Sequence, residues 1–271
     1  MHSFDRRPLG VFDSGVGGLT VLRSLRARLP SESIIYLGDT ARVPYGTKSA
    51  SVVTRYAQLN AAFLTSLDVK LLVVACNTAS AVALPALRAT LGIPVVGVIE
   101  PGAQEAAALT RSGVVGVLGT PGTIRSGAYQ RALGAARSGL TVLAQACPLF
   151  VPLAEEGWLG GDVPRLVARS YLSPLLGQGM DTVVLGCTHY PLLRGVLQEV
   201  LGQKMALVDS GEAAAQAVAA VFQAGTASEA GPGTRTERFY VTDVPDRFIE
   251  VSARFLGSSV PAAEQVDLAV G

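Results

Sequence analysis

The chain has 271 residues, 49% of them apolar and only 6% aromatic, with a formal net charge of +1. That length supports one large or two modest domains, and a core built from Ala, Val and Leu suits helices packed on a parallel sheet. Near-neutral charge without like-charge runs excludes an electrostatic footprint for nucleic acid or an anionic membrane, and three cysteines exclude a disulfide framework.

The N-terminal stretch MHSFDRRPLGVFD lacks an apolar h-region, so no signal peptide is expected. The most apolar windows, 71–87 and 213–221, are interrupted by polar residues and shorter than a membrane span. A soluble cytoplasmic protein is expected. A first strand is predicted over 8–12, ending in Asp13-Ser14-Gly15-Val16-Gly17-Gly18, with an amphipathic helix over 19–29. A second strand, 33–37, ends in Gly38-Asp39-Thr40. The polar loop over 41–49 holds Pro44-Tyr45-Gly46, and its length and composition suit a ligand-covering segment. A helix over 49–67, a strand ending at Cys76, a helix around 79–90 and a strand over 94–98 complete the first half. A crossover to the second half is placed near Glu100-Pro101-Gly102.

In the second half a strand over 114–118 ends in Gly119-Thr120-Pro121-Gly122-Thr123. Another, 141–146, leads into Cys147, the apolar run 148–154, Glu155 and Glu156, and a helix follows over 163–176. The β-branched strand 182–185 stops at a glycine and a sharp exit carrying Cys187, Thr188 and His189, after which Tyr190 and Pro191 open a helix. Residues 207–211 return the chain to the first half, with Ser210 capping a helix. The stretch 225–234 reads as a flexible connection, 238–242 as a late strand and 245–256 as a last helix.

Two stretches echo one another. LLVVACNTAS and VVLGCTH are strands ending in a cysteine followed by small polar residues, and GVFDS at the first strand recurs as GVLGT at nearly the same spacing. Two similar α/β halves are expected, each delivering one cysteine to a shared cleft, because ligands sit at the carboxyl ends of parallel strands. The glycines after Asp13 run G-x-G-G, which misses the dinucleotide pattern G-x-G-x-x-G, and Asp13 would put a carboxylate where the pyrophosphate belongs. Close backbone approach to a small anionic ligand fits better, with Ser14 donating and Asp13 available for proton chemistry.

A lone buried cysteine is an ordinary core residue, but Cys76 and Cys187 share a setting that Cys147, inside an apolar run, lacks. Cys147 is read as structural. His189 is one of two histidines, the other being His2 at the terminus, and its place two residues after Cys187 lets it steer or protonate a thiol. One usable histidine and two distant cysteines give no metal-ligand set. A Cys–His hydrolase would leave Cys76 without a role. Glu155 directly follows the apolar run and can face inward, whereas Glu156 is taken as solvent-facing.

With those residues placed, the chain resembles the glutamate racemases of the cofactor-independent Asp/Glu racemase superfamily. The resemblance runs over nearly the whole length, through GVFDSGVGGLTVL, YLGDTARVPYG, VVACNTASA, VVGVIEPGA, VLGTPGT, CPLFVPLAEEG, LGCTHYPLL, VDSGEAAA and FYVTDVPDRF. ACNTASA, GCTHYPL and PYG together are the specific elements. It implies interconversion of L- and D-glutamate, supplying D-glutamate for peptidoglycan, with no cofactor and no metal. Carried over by motif, Cys187 acts on L-glutamate and Cys76 on D-glutamate. Asp13 then assists Cys76, and His189 assists Cys187 with Glu155 beside it. Ser14, Pro44, Tyr45, Gly46, Asn77, Thr78, Thr120 and Thr188 would hold the substrate together with Asp13, both cysteines and His189.

The expected architecture is two pseudo-symmetric α/β domains, 1–98 plus 210–271 and 99–209, each a mostly parallel sheet flanked by helices. The active site would lie in the interdomain cleft, and a homodimer is the family expectation. An unperturbed thiol has a pKa of about 8.5, so neighbouring charge must raise its thiolate fraction, and hydroxyls and helix-start N–H groups must disperse the carbanion's charge. An aspartate or hydantoin racemase would keep both cysteines and change the side-chain pocket. A binding or regulatory protein of the same fold would need neither thiol, and a thiol-redox role would predict a ready Cys76–Cys187 disulfide.

Overall fold

The computed structural model describes residues 4–227, 229–230 and 235–268. Short β-branched runs form β1 (Leu9–Asp13), β2 (Ile34–Gly38), β3 (Leu71–Val74) and β4 (Val95–Gly97), buried along their whole length. Burial on both faces is what a parallel sheet covered by helices requires. Those helices are α1 (Leu19–Arg28), α2 (Ala50–Ser66), α3 (Asn77–Thr90) and α4 (Ile99–Leu109). The pattern then restarts with β5 (Val114–Gly119), α5 (Pro121–Ser126), α6 (Ala128–Ala136) and β6 (Thr141–Ala146). It continues through α7 (Phe150–Glu155), α8 (Asp162–Leu172), β7 (Thr182–Gly186), α9 (Arg194–Leu201) and β8 (Ala206–Asp209). The remaining elements are α10 (Ser210–Gln223), β9 (Glu237–Val241), α11 (Pro245–Leu256) and β10 (Glu264–Gln265).

Two sheets result, ordered β10-β9-β2-β1-β3-β4 and β6-β5-β7-β8, and every pairing is parallel. Without the late strands β9 and β10, the first sheet runs β2-β1-β3-β4. Each strand of the second sheet takes the place of the strand four earlier, so the sequence echo is a repeated topology. Cys76 follows β3 and Cys187 follows β7, at equivalent points of the two sheets. Each sheet has an apolar cluster on either face, with α1, α10 and α11 on one side of the first sheet and α2 and α3 on the other. The second sheet is covered by α7, α8 and α9 on one side and by α4 and α6 on the other.

Several elements depart from the sequence reading. The crossover placed near Glu100-Pro101-Gly102 is made by α4, which links β4 of the first sheet to β5 of the second. Those residues form its first turn, where proline is tolerated because its missing N–H has no intrahelical partner. The polar loop over 41–49 contains two 3₁₀ turns, Thr40–Arg42 and Tyr45–Thr47, which bury Tyr45 and Gly46. A 3₁₀ turn, Tyr190–Leu193, precedes α9. The cap of α10 is Asp209, not Ser210, because its carboxylate reaches the N–H groups of Gly211 and Glu212. Of the expected flexible connection, residues 228 and 231–234 lie outside the described residues, as does His2. No described helix is long and apolar enough to cross a membrane.

Candidate active site

Adjacent strands of the two sheets carry the site. β1 and β3 pair in register and release Asp13-Ser14 and Cys76-Asn77-Thr78, while β5 and β7 release Thr120 and Cys187-Thr188-His189. Ser14, Pro44, Tyr45, Gly46, Cys76, Asn77, Thr78, Thr120, Glu155, Cys187, Thr188 and His189 all line one cavity of about 60 Å³. Every residue the sequence nominated is there except Asp13, which lies behind the wall, fully buried. Gly15, Val43 and Val151 complete the lining.

Cys76 is the N-cap of α3, so its sulfur stands at a helix start where negative charge is favoured. Its Sγ lies 3.6 Å from the Ser14 hydroxyl. Burial, and then the Asp13 charge, nevertheless push this thiol up to about 12. Asp13 accepts hydrogen bonds at Oδ2 from the N–H groups of Gly15 (3.1 Å) and Gly18 (3.0 Å), while Oδ1 is buried with no hydrogen-bond partner among the described residues. Burial holds its carboxyl above the usual range.

The second thiol has different company. Cys187 Sγ is 3.8 Å from His189 Nδ1, and His189 Nε2 is 2.9 Å from Glu155 Oε1. Burial alone would lower the imidazole, but its bonds to Cys187 and Glu155 prevail and push it up to about 10. Burial likewise works to raise Glu155, and the bond from His189 outweighs it, holding that carboxyl low. These contacts favour the protonated imidazole, held between the Cys187 sulfur and the Glu155 carboxylate. Gly17 makes the arrangement possible from the other half: a Cβ there would stand 2.3 Å from Thr188 Oγ1 and 2.4 Å from the His189 ring. Close packing between halves, rather than a phosphate, accounts for that glycine.

Several side chains that line the cavity are already engaged. The Tyr45 hydroxyl donates to Asp39 and accepts from Asn60 Nδ2 at 3.1 Å, and Asp39 also accepts from Arg42 (2.7 Å) and Thr242 (2.8 Å). Asn77 accepts from the Tyr129 hydroxyl at 2.7 Å and donates to Ser210 at 3.4 Å. The Thr78, Thr120 and Thr123 hydroxyls form a triangle across the two halves, with sides of 2.9, 3.2 and 3.0 Å. Asp39, Asn60, Thr123, Tyr129 and Ser210 are thus supporting residues that the sequence reading did not single out for this role. Ser210 was read only as a helix cap, and Thr123 lies at the start of α5, where its N–H donates to the Thr120 hydroxyl at 3.2 Å. Cys147 is buried outside the cavity, and Glu156 is exposed and paired with Arg247 at 2.8 Å. Among the described residues no group of three His, Cys, Asp or Glu is arranged to hold a metal ion.

Two parallel α/β sheets of matching order thus each end a strand in a cysteine at a common cavity. The chain belongs to the Asp/Glu/Hydantoin racemase family, whose model matches residues 19–218. Its relatives include the glutamate racemase of Geobacter metallireducens, 56% identical over 262 residues and covering 97% of each chain. The solved glutamate racemase of Francisella tularensis, in complex with D-glutamate, is similar with a TM-score of 0.91 at 38% identity, over 98% of this chain and 99% of that one. That of Thermus thermophilus, in complex with beta-chloro-D-alanine, gives 0.89 at 45% identity, over 98% and 99%.

Proposed function

We propose that this chain interconverts L- and D-glutamate by a two-base route, with Cys76 and Cys187 addressing opposite faces of Cα. One observation carries the mechanism: topologically equivalent strands of the two halves each end in a cysteine, and both thiols line the same cavity. The choice of glutamate rests on the relatives, among them the Francisella enzyme in complex with D-glutamate.

Cys187, with the imidazolium of His189 beside it, supplies the thiolate that takes the α-proton of L-glutamate. Cys76, which burial keeps as a thiol at neutral pH, delivers a proton to the other face. D-glutamate reverses the two roles: Asp13 accepts the Cys76 proton, the Cys76 thiolate takes the α-proton, and Cys187, protonated by His189, delivers a proton to the other face. The start of α3 and the hydroxyls of Ser14 and Thr188 disperse the developing charge. Because the Tyr45, Thr78 and Asn77 side chains are bound within the protein, Pro44, Tyr45, Gly46, Asn77, Thr78 and Thr120 hold the substrate largely through backbone and shape. The proposal includes a cytoplasmic homodimer making D-glutamate for peptidoglycan, and domains of 1–98 plus 210–271 and 99–209. The division between the two sheets before α4 and after β8 supports those boundaries.

The test is α-proton exchange of L-glutamate in D₂O without added cofactor, with circular dichroism followed in parallel. Exchange with loss of optical activity, each crippled by Cys76→Ser or Cys187→Ser, is the expected outcome. Exchange of aspartate alone would replace the substrate, and no exchange of any amino acid would overturn the reading.

A further inference from the structure

The line from Glu155 through His189 to Cys187 belongs to the second half, yet the surface behind it belongs to the first. α11 contributes three contacts there. The Phe255 ring, fully buried, meets the His189 ring edge-on with centroids 5.1 Å apart. The Arg254 guanidinium donates to the Glu155 carbonyl oxygen. Two turns earlier Arg247 pairs with Glu156 at 2.8 Å and with Glu250 at 3.1 Å. Ala154 and Leu159, on either side of this corner, pack into the same apolar cluster as Phe248, Val251 and Phe255. Exposed pairs such as Arg247–Glu156 contribute little alone, because solvent screens them. The aromatic contact and the carbonyl bond fix position instead, one on the imidazole and one on the backbone that carries its carboxylate. Towards Cys76, Ser14 and Asp13 the reach of α11 is less direct: Phe248 packs on Tyr36 at 5.9 Å, and the Tyr36 hydroxyl donates to the Gly15 carbonyl oxygen at 2.8 Å.

We infer that α11 of the first half is the positioning element for the Cys187 proton line, acting through Arg254 on Glu155 and through Phe255 on His189. Arg254 is a positioning residue: it reaches the reacting thiol only through Glu155 and His189. The inference rests on the two-thiol reading above. Since the enantiomers are equal in energy, kcat/KM must stay the same for both whatever a substitution does. A selective loss at one thiol must therefore show in the isotope effects and in the split between kcat and KM.

The experiment compares wild type, Arg254→Ala and Arg254→Lys using L- and D-glutamate deuterated at Cα. Arg254→Ala should lower kcat by about tenfold, the scale of a sub-ångström misplacement at a proton-transfer site. Its primary isotope effect should rise for L-glutamate and fall for D-glutamate, because the Cys187 step becomes limiting. Arg254→Lys, which keeps a donor, should restore most of both. Phe255→Leu, checked for folding by thermal melting, should shift the isotope effects in the same sense. Equal shifts for the two enantiomers, or a loss of rate with unchanged isotope effects, would overturn the inference. Wild type separates the two levels, since failure to racemise glutamate there removes the two-thiol reading itself.

Discussion

Two thiols in one cavity carry opposite surroundings. Cys76 has a buried carboxyl behind it and is held as a thiol up to about 12, whereas Cys187 has an imidazolium 3.8 Å away. At about pH 8 iodoacetamide should therefore label Cys187 ahead of Cys76, since the thiolate is the nucleophile. Peptide mass spectrometry reads the order, and equal or reversed labelling would contradict the assigned charges. The His189–Glu155 pair also makes a stability prediction. His189 is raised from an ordinary value of about 6.5 to about 10. A raised folded pKa gives stabilisation that is complete below the unfolded value and is lost as pH rises through the folded one. The melting-temperature gap between wild type and His189→Asn should thus be largest near pH 6 and shrink toward pH 10. A constant gap would mean that the imidazole is not protonated in the folded chain.

At the scale of elements, what was legible in the sequence followed from burial. β1, β3, β5 and β7 announced themselves because strands buried on both faces must be apolar along their length, and each ended in small polar residues at the site. The glycine- and proline-bearing starts of α4 and α5 did not, because those residues read as loop until their position in the first turn is known. Asp39 and Asn60 were illegible as a pair: their partner, Tyr45, is reached only once the loop folds over. The α10 cap shows the same ambiguity, since Asp209 and Ser210 are both good capping residues and only geometry chooses. Asp209→Ala should cost about 1 kcal/mol, or about 2–4 °C, the usual loss for a cap in a chain of this size. An unchanged melt would return the cap to Ser210. The contact of α5 with the Tyr45–Thr47 turn is tighter still, since a Cβ on Gly122 would stand 2.8 Å from the Gly46 carbonyl oxygen. Gly122→Ala should raise KM for glutamate about threefold or more while moving the melt by less than about 2 °C, because backbone meets backbone at a seam rather than in a core.

The whole molecule is two cored bodies meeting at a seam that contains the chemistry. The cavity of about 60 Å³ is small and tightly lined, so entry of glutamate is expected to require the walls to part. What joins those walls at the mouth is polar and small: the threonine triangle of Thr78, Thr120 and Thr123, and the approach of Gly46 to Gly122. Apart from Ala154, Leu159 and Leu192, which join the first half's cluster away from the cavity mouth, the apolar clusters lie on the faces of their own sheets, so the mouth can open with little core exposed. Closure would exclude water from two thiols that must handle a very weak carbon acid, which strengthens every charge interaction inside. Binding should then protect both sides of the mouth together. On adding D-glutamate, amide hydrogen exchange should slow in 45–47 and in 120–123 by similar factors, while β1, β3, β5 and β7 stay unchanged. Protection of one side alone, or of the strands as well, would mean that substrate stiffens one half or the whole fold rather than bringing two bodies together.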